Sequence, residues 1–147
     1  LLRSPDLCDL VQRVGAYVRF GSSIPAPLNE LAICMAGRTW SAQYEFYAHR
    51  KLSIEAGLNP AILDAVADGR RPEAMSKDEA LVYDFANELL STGQVSDTHY
   101  QPVLDRFGER GVMDLVGAVG YYSLVSMVLN VAQVQLPAGE TPPLKPL

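Results

Sequence analysis

The stretch Ser76-KDEALVYDFANELLST-Gly93 sets the terms on which the rest of the chain is read. Ser76 followed three residues later by Glu79 is a capping box, whose hydroxyl and carboxylate satisfy backbone N–H groups that a first helical turn leaves free. Leu81, Phe85 and Leu89 then recur at four-residue steps, the spacing of a single helix face. Gly93 closes the segment, because glycine takes the left-handed C-cap conformation without steric penalty.

The same punctuation recurs outward in both directions. Upstream, Ser4-Pro5 opens a helix with the apolar stripe Leu7, Leu10, Val11, Val14, Tyr17 and Val18, and Gly21 ends it. A loop through Pro25 and Pro27 leads to a second helix, from about Leu28 to Arg38. A third runs from near Ser41 to Gly57, and Asn59-Pro60 starts a short fourth that stops at Gly69. Arg70-Arg71-Pro72 is a solvated connection to the capped fifth helix. Downstream, Ser96-Asp97 caps a sixth ending at Phe107, before Gly108, and a seventh spans about Val112 to Val134. From about residue 136, Pro137, Pro142, Pro143 and Pro146 make the tail irregular. No segment alternates with period two between turns, so no strand is expected. Residues 1–147 read as one all-α domain, a bundle of about seven helices with antiparallel neighbours.

Composition agrees with a folded domain: 147 residues, 48% hydrophobic and 20% charged, can bury one substantial core. Twelve Lys and Arg against 17 Asp and Glu give a net charge of −5, without the basic excess that a nucleic-acid-binding face needs. Cys8 and Cys34 cannot form a CxxC pair or a zinc cluster, and free cysteines point to a reducing, cytoplasmic setting. No basic segment followed by an apolar run and a cleavage site is present. The uninterrupted apolar and small residues from Leu115 to Leu129 fall short of the ~20 that span a bilayer. No membrane association is expected. That helix reads instead as buried all round, in a core or a subunit interface.

The third helix concentrates reactive groups. Trp40, Gln43, Tyr44 and Tyr47 share one face, while Glu45 and His49, four apart, share another beside Ala42. A carboxylate one turn from an imidazole can fix its tautomer and make an acid–base pair, or it can be a surface ion pair. Trp40 and Tyr47 read as packing residues that can also wall a pocket. The second helix carries Glu30, Cys34 and Arg38 at four-residue steps on one face: surface charges, or a guanidinium that anchors a substrate carboxylate. Cys34, within Leu31-Ala32-Ile33-Cys34-Met35, behaves as a small core hydrophobe. His99, in a first turn, reads as structural or solvated. Metal-ligand spacings and a Gly-rich phosphate loop are both missing, so no metal or cofactor is expected. Gly117 and Gly120 read as points of close helix approach.

Several runs resemble the carboxymuconolactone decarboxylase family. They are Glu30-Leu-Ala-Ile, Arg38-Thr-Trp40 and Gln43-Tyr-Glu45-Phe-Tyr-Ala-His49, followed by Asp78-Glu-Ala-Leu-Val-Tyr-Asp-Phe, Phe107-Gly-Glu-Arg-Gly-Val and Gly120-Tyr-Tyr-Ser-Leu-Val-Ser-Met. The likeness extends from about Leu7 to Pro137. It implies an alkylhydroperoxidase-like all-helical subunit, assembled as a trimer or hexamer with pockets partly at subunit contacts. Glu30 and His49 match the superfamily's glutamate and histidine, whereas its two thiol positions carry Ala42 and Glu45, so peroxidase activity does not transfer. The expected activity is a cofactor-free lyase or isomerase for a small carboxylated lactone or enolisable acid. His49 would carry the proton and Glu45 orient it, with Arg38, Trp40, Tyr44 and Glu30 binding substrate. The alternatives are a non-catalytic binding or structural relative, or thiol chemistry through Cys34.

Overall fold

A computed structural model describes residues 1–145 of the chain. Six helices account for its regular structure: α1 (Pro5–Phe20), α2 (Ala26–Thr39), α3 (Gln43–Glu55), α4 (Pro60–Ala67), α5 (Lys77–Thr92) and α6 (Asp97–Val131). No strand occurs among the described residues. Both halves of the Ser76 capping box form, with Ser76 N–H donating to Glu79 Oε2 at 2.6 Å and Glu79 N–H to Ser76 Oγ at 3.3 Å. Gly93 takes φ +75° as the left-handed cap of α5. Ser4 and Ser96, expected to cap in the same way, do not. Ser96 gives both its N–H and its hydroxyl to Glu88 Oε2, each at 3.0 Å, so its oxygen is turned to α5.

The two helices expected from Ser96 onward follow one another within α6, with the break between them at Gly108 as expected. Gly108 breaks the regular geometry inside it, at φ +70° and ψ 177°, a conformation that side chains other than glycine's rarely take. The chain leaves helical geometry there, so that α6 is two helical stretches joined across a kink. A difference concerns which helix is enclosed. The segment 115–129 reads as buried all round, in a core or a subunit interface, and within the single chain α6 buries one side of it, through Leu115, Ala118, Val119, Tyr122 and Ser126. It is α2 whose residues from Leu28 to Arg38 are all buried, because α3, α4, α5 and α6 surround it. By length and composition α6 also passes for a membrane span, its apolar window having a mean hydropathy of 1.6.

The stripe on α1 is only partly used. Val11 and Val18 are buried, whereas Leu10 is 62% exposed and Leu7, Val14, Tyr17 and Phe20 are exposed with it. What ties α1 down is polar. Asp114 on α6, 6% exposed, accepts from Tyr17 Oη at 2.8 Å and from Ser23 N–H and Oγ at 2.7 and 2.6 Å. These donors hold the Asp114 carboxyl below its ordinary range against a burial that would raise it.

The proline-rich tail has no helix or strand, as expected, but it is docked. Gln43 clamps the backbone of Leu144 from both sides, donating to its carbonyl at 2.9 Å and accepting from its N–H at 3.1 Å. Leu144 is thereby buried as part of the main core. Pro146 lies outside the described residues.

Candidate functional site

Close packing of α2 on α3 builds the site. Gly37 lies at this contact, where a Cβ would stand 3.4 Å from the backbone nitrogen of Phe46, an ordinary contact distance. Across this contact Glu30 of α2 meets His49 of α3, with Oε2 2.7 Å from Nδ1. From the same helix as His49, Glu45 places Oε1 3.1 Å from Nε2. The imidazole is therefore held at both ring nitrogens by carboxylates. Side-chain exposures of 12% for Glu30, 7% for Glu45 and 8% for His49 leave only a thin edge of the cluster at the surface.

The two contacts are not equivalent. The Glu30 contact is short and aligned, whereas Glu45 Oε1 is within ion-pair distance but makes no aligned hydrogen bond. Burial alone would lower the pKa of His49. The hydrogen bond to Glu30, then the interaction with Glu45, outweigh it and push the group up to about 9. His49 is thus an imidazolium at neutral pH, donating to Glu30 through Nδ1–H and carrying on Nε2 a proton without an aligned acceptor. Tyr122 of α6 packs edge-on against it, ring centroids 4.7 Å apart. Burial and then the nearby Glu45 raise the Tyr122 phenol, which stays neutral.

Beneath the imidazolium lies a short polar chain. Ser53 Oγ donates to the carbonyl of His49 at 2.7 Å, which leaves it to accept from the Cys34 thiol at 3.4 Å. Cys34 has no exposed surface, and burial raises its pKa to about 12. A thiol in that state is neither a nucleophile nor accessible to peroxide. In the native protein a thiol reagent is expected to modify the partly exposed Cys8 and to reach Cys34 only on unfolding. Peroxide turnover should not exceed that of free cysteine. Catalytic consumption that vanishes in Cys34→Ser would overturn this.

Of the six residues read as site candidates, Glu30, Glu45 and His49 come together, Glu30 as a partner of the imidazole itself. Arg38, Trp40 and Tyr44 lie apart from that cluster. Four-residue steps on a helix drift by about 40° each, so Arg38 is about 80° around and about 12 Å along α2 from Glu30. It lines a different cavity, toward α4 and α5. Trp40 does not belong to α3, because Ser41 turns the chain at φ +49° before that helix begins. Trp40 is 41% and Tyr44 36% exposed, and Tyr44 lines a cavity with Asn130 and Gln135 at the end of α6.

His99 is structural, its Nδ1 2.8 Å from Glu88 Oε2 between α6 and α5. Tyr122 has one signal in the sequence, its place in the run from Gly120. Among the described residues no group of three or more His, Cys, Asp or Glu is arranged to hold a metal ion. No family model, curated protein or solved structure matches this chain.

Proposed function

We propose that the protein is a cofactor-free acid–base enzyme, a lyase or isomerase for a small carboxylated lactone or related enolisable acid, in which His49 gives up the proton. The observation that carries this reading is one buried imidazolium bridged by two carboxylates from different helices. A histidine raised to about 9 is a poor base at neutral pH but a ready donor to a strongly basic carbon. Decarboxylation makes such a carbon. The bond to the carboxylate breaks, CO₂ leaves, and the electron pair remains as an enolate. The Nε2 proton, the one without an aligned acceptor, then moves to that carbon, and water returns a proton to the ring. Glu30 fixes the ring orientation, and both carboxylates stabilise the charged form.

The resemblance to carboxymuconolactone decarboxylases supports the same reading through Glu30 and His49. Incubation with carboxylated lactones in D₂O tests it. CO₂ release with one deuteron placed at the carbon that carried the carboxylate is the expected result. A structural role is the second reading, favoured by how completely the three side chains bury one another. Unchanged lactones across the series, with His49 variants losing only stability, would select it.

The same resemblance makes a homo-oligomer, trimer or hexamer, part of the proposal. Its physical support is the unpartnered apolar surface of α1 (Leu7, Leu10 and Val14) and of Met113 and Met127 on α6. Light scattering at micromolar concentration should give a mass of three or six subunits. A stable monomer would contradict it.

A further inference from the structure

The molecule holds a second polar feature that the His49 reading does not use. Arg38 is 6% exposed, and among the described residues no carboxylate lies within ion-pair distance of it. Its Nη1 donates to the carbonyl of Lys145 at 3.0 Å, and its Nε is buried with no hydrogen-bond partner. A guanidinium is always charged, so enclosing one without a counter-charge is unfavourable unless something else supplies the anion. Arg38 borders a cavity of about 230 Å³ between α2, the end of α4 and α5.

The lining of that cavity describes its occupant. Met35, Val66 and Leu90 give it apolar walls, while Tyr83 and Asn87 bring side-chain donors that are unengaged among the described residues. Asn87 is exposed, so the cavity reaches solvent at its α5 side. The docked tail reaches the same guanidinium through the Lys145 carbonyl. One cation, two neutral donors and apolar walls suit a single negative charge on an apolar body. A phosphate dianion would want more cations and less hydrocarbon.

We infer that the Arg38 cavity is a binding site for a small organic monocarboxylate of aryl or branched-alkyl type, held by the guanidinium and separate from the proton-transfer centre at His49. The ligand carboxylate pairs with the guanidinium where Arg38 lines the cavity, and the apolar body lies against Met35, Val66 and Leu90. Because the tail carbonyl shares the same guanidinium, binding also fixes the tail.

Benzoate is the probe, with benzamide as its uncharged counterpart and inorganic phosphate as the alternative anion, all titrated calorimetrically into the full chain. Saturable benzoate binding at one site per chain is expected, with benzamide and phosphate at least about tenfold weaker, since a charge-assisted hydrogen bond is lost or mismatched. Arg38→Met should weaken benzoate by at least about tenfold. Asn87→Phe, which fills the cavity from an exposed position and leaves the buried core intact, should do the same. Benzoate should raise the melting temperature of the wild type and of neither variant. Turnover lost in His49→Gln with benzoate binding retained would separate this site from the reaction centre. Equal affinity for benzoate and benzamide, benzoate affinity unchanged in Arg38→Met or Asn87→Phe, or no saturable benzoate binding would overturn the assignment.

Discussion

Replacing His49 by alanine should destabilise the fold by about 3–5 kcal/mol, the usual effect of removing one partner from a buried ionic cluster. The substitution leaves Glu30 and Glu45 facing a cavity with no cation between them. Two like charges in a buried site resist being ionised together, so one carboxyl should take up a proton. The variant is therefore expected to regain stability when the pH is lowered from 7 to 5. Urea unfolding at the two values measures this. A destabilisation unchanged over that range would mean that the two carboxylates do not share the site.

Activity should fall as well. Losing a positioned proton donor slows an acid–base reaction by roughly 10²- to 10⁴-fold, and His49→Gln should show a loss of that order in kcat. Glu45→Gln keeps the imidazole and its Glu30 contact, and should leave a folded, slower enzyme. Effects of residues acting as one unit need not add, so the double variant should be little worse than His49→Gln alone. Wild-type kcat in a folded His49→Gln would remove His49 from the mechanism.

The second large effect is on the wild type. His49 has a pKa of about 9 in the fold against an ordinary value of 6.5, so the native state binds its proton more tightly than the unfolded chain does. A raised pKa contributes stability that is complete below about pH 6.5 and is lost as the pH rises through about 9. The difference corresponds to about 3 kcal/mol, little screened because the side chain is only 8% exposed. Urea midpoints should fall from pH 6.5 to 9.5, with most of the fall absent in His49→Gln. An unchanged midpoint, or the same fall in both proteins, would show that the two carboxylates do not hold this proton.

What could be read from the sequence divides along the range of the interactions. Capping and turn residues act within a few positions, so the starts of α4 and α5 and the left-handed Gly93 are legible in the letters alone. The pairing of Glu45 with His49 is equally local, one helical turn. The contact between Glu30 and His49 is not, because it depends on how α2 and α3 pack against one another. Arg38 was placed with Glu30 by counting steps of four, and the accumulated rotation sends it toward another cavity. Trp40 was assigned to the wrong helix because a serine, not a glycine, takes the positive φ at the turn.

Burial was the least legible property. An apolar run from Leu115 to Leu129 looked enclosed, and it is half open in the single chain. The enclosed helix is α2, which carries Asn29, Glu30 and Arg38 among its buried residues. Asn29 is held by the carbonyl of Val18 at 3.0 Å, and Glu30 by His49. Hydropathy cannot anticipate such polar burial, because the partners that offset its cost come from elsewhere in the chain.

The claim that joins stability to function is that His49 is a held imidazolium. Nitrogen-15 chemical shifts of its ring, followed by NMR from pH 6 to 10.5, test this most directly. The account predicts protonated Nδ1 and Nε2 at pH 7.5, titrating near 9 in the wild type and lower in Glu30→Gln. A neutral ring at pH 7.5, one nitrogen bare and the titration near 6.5, would contradict it.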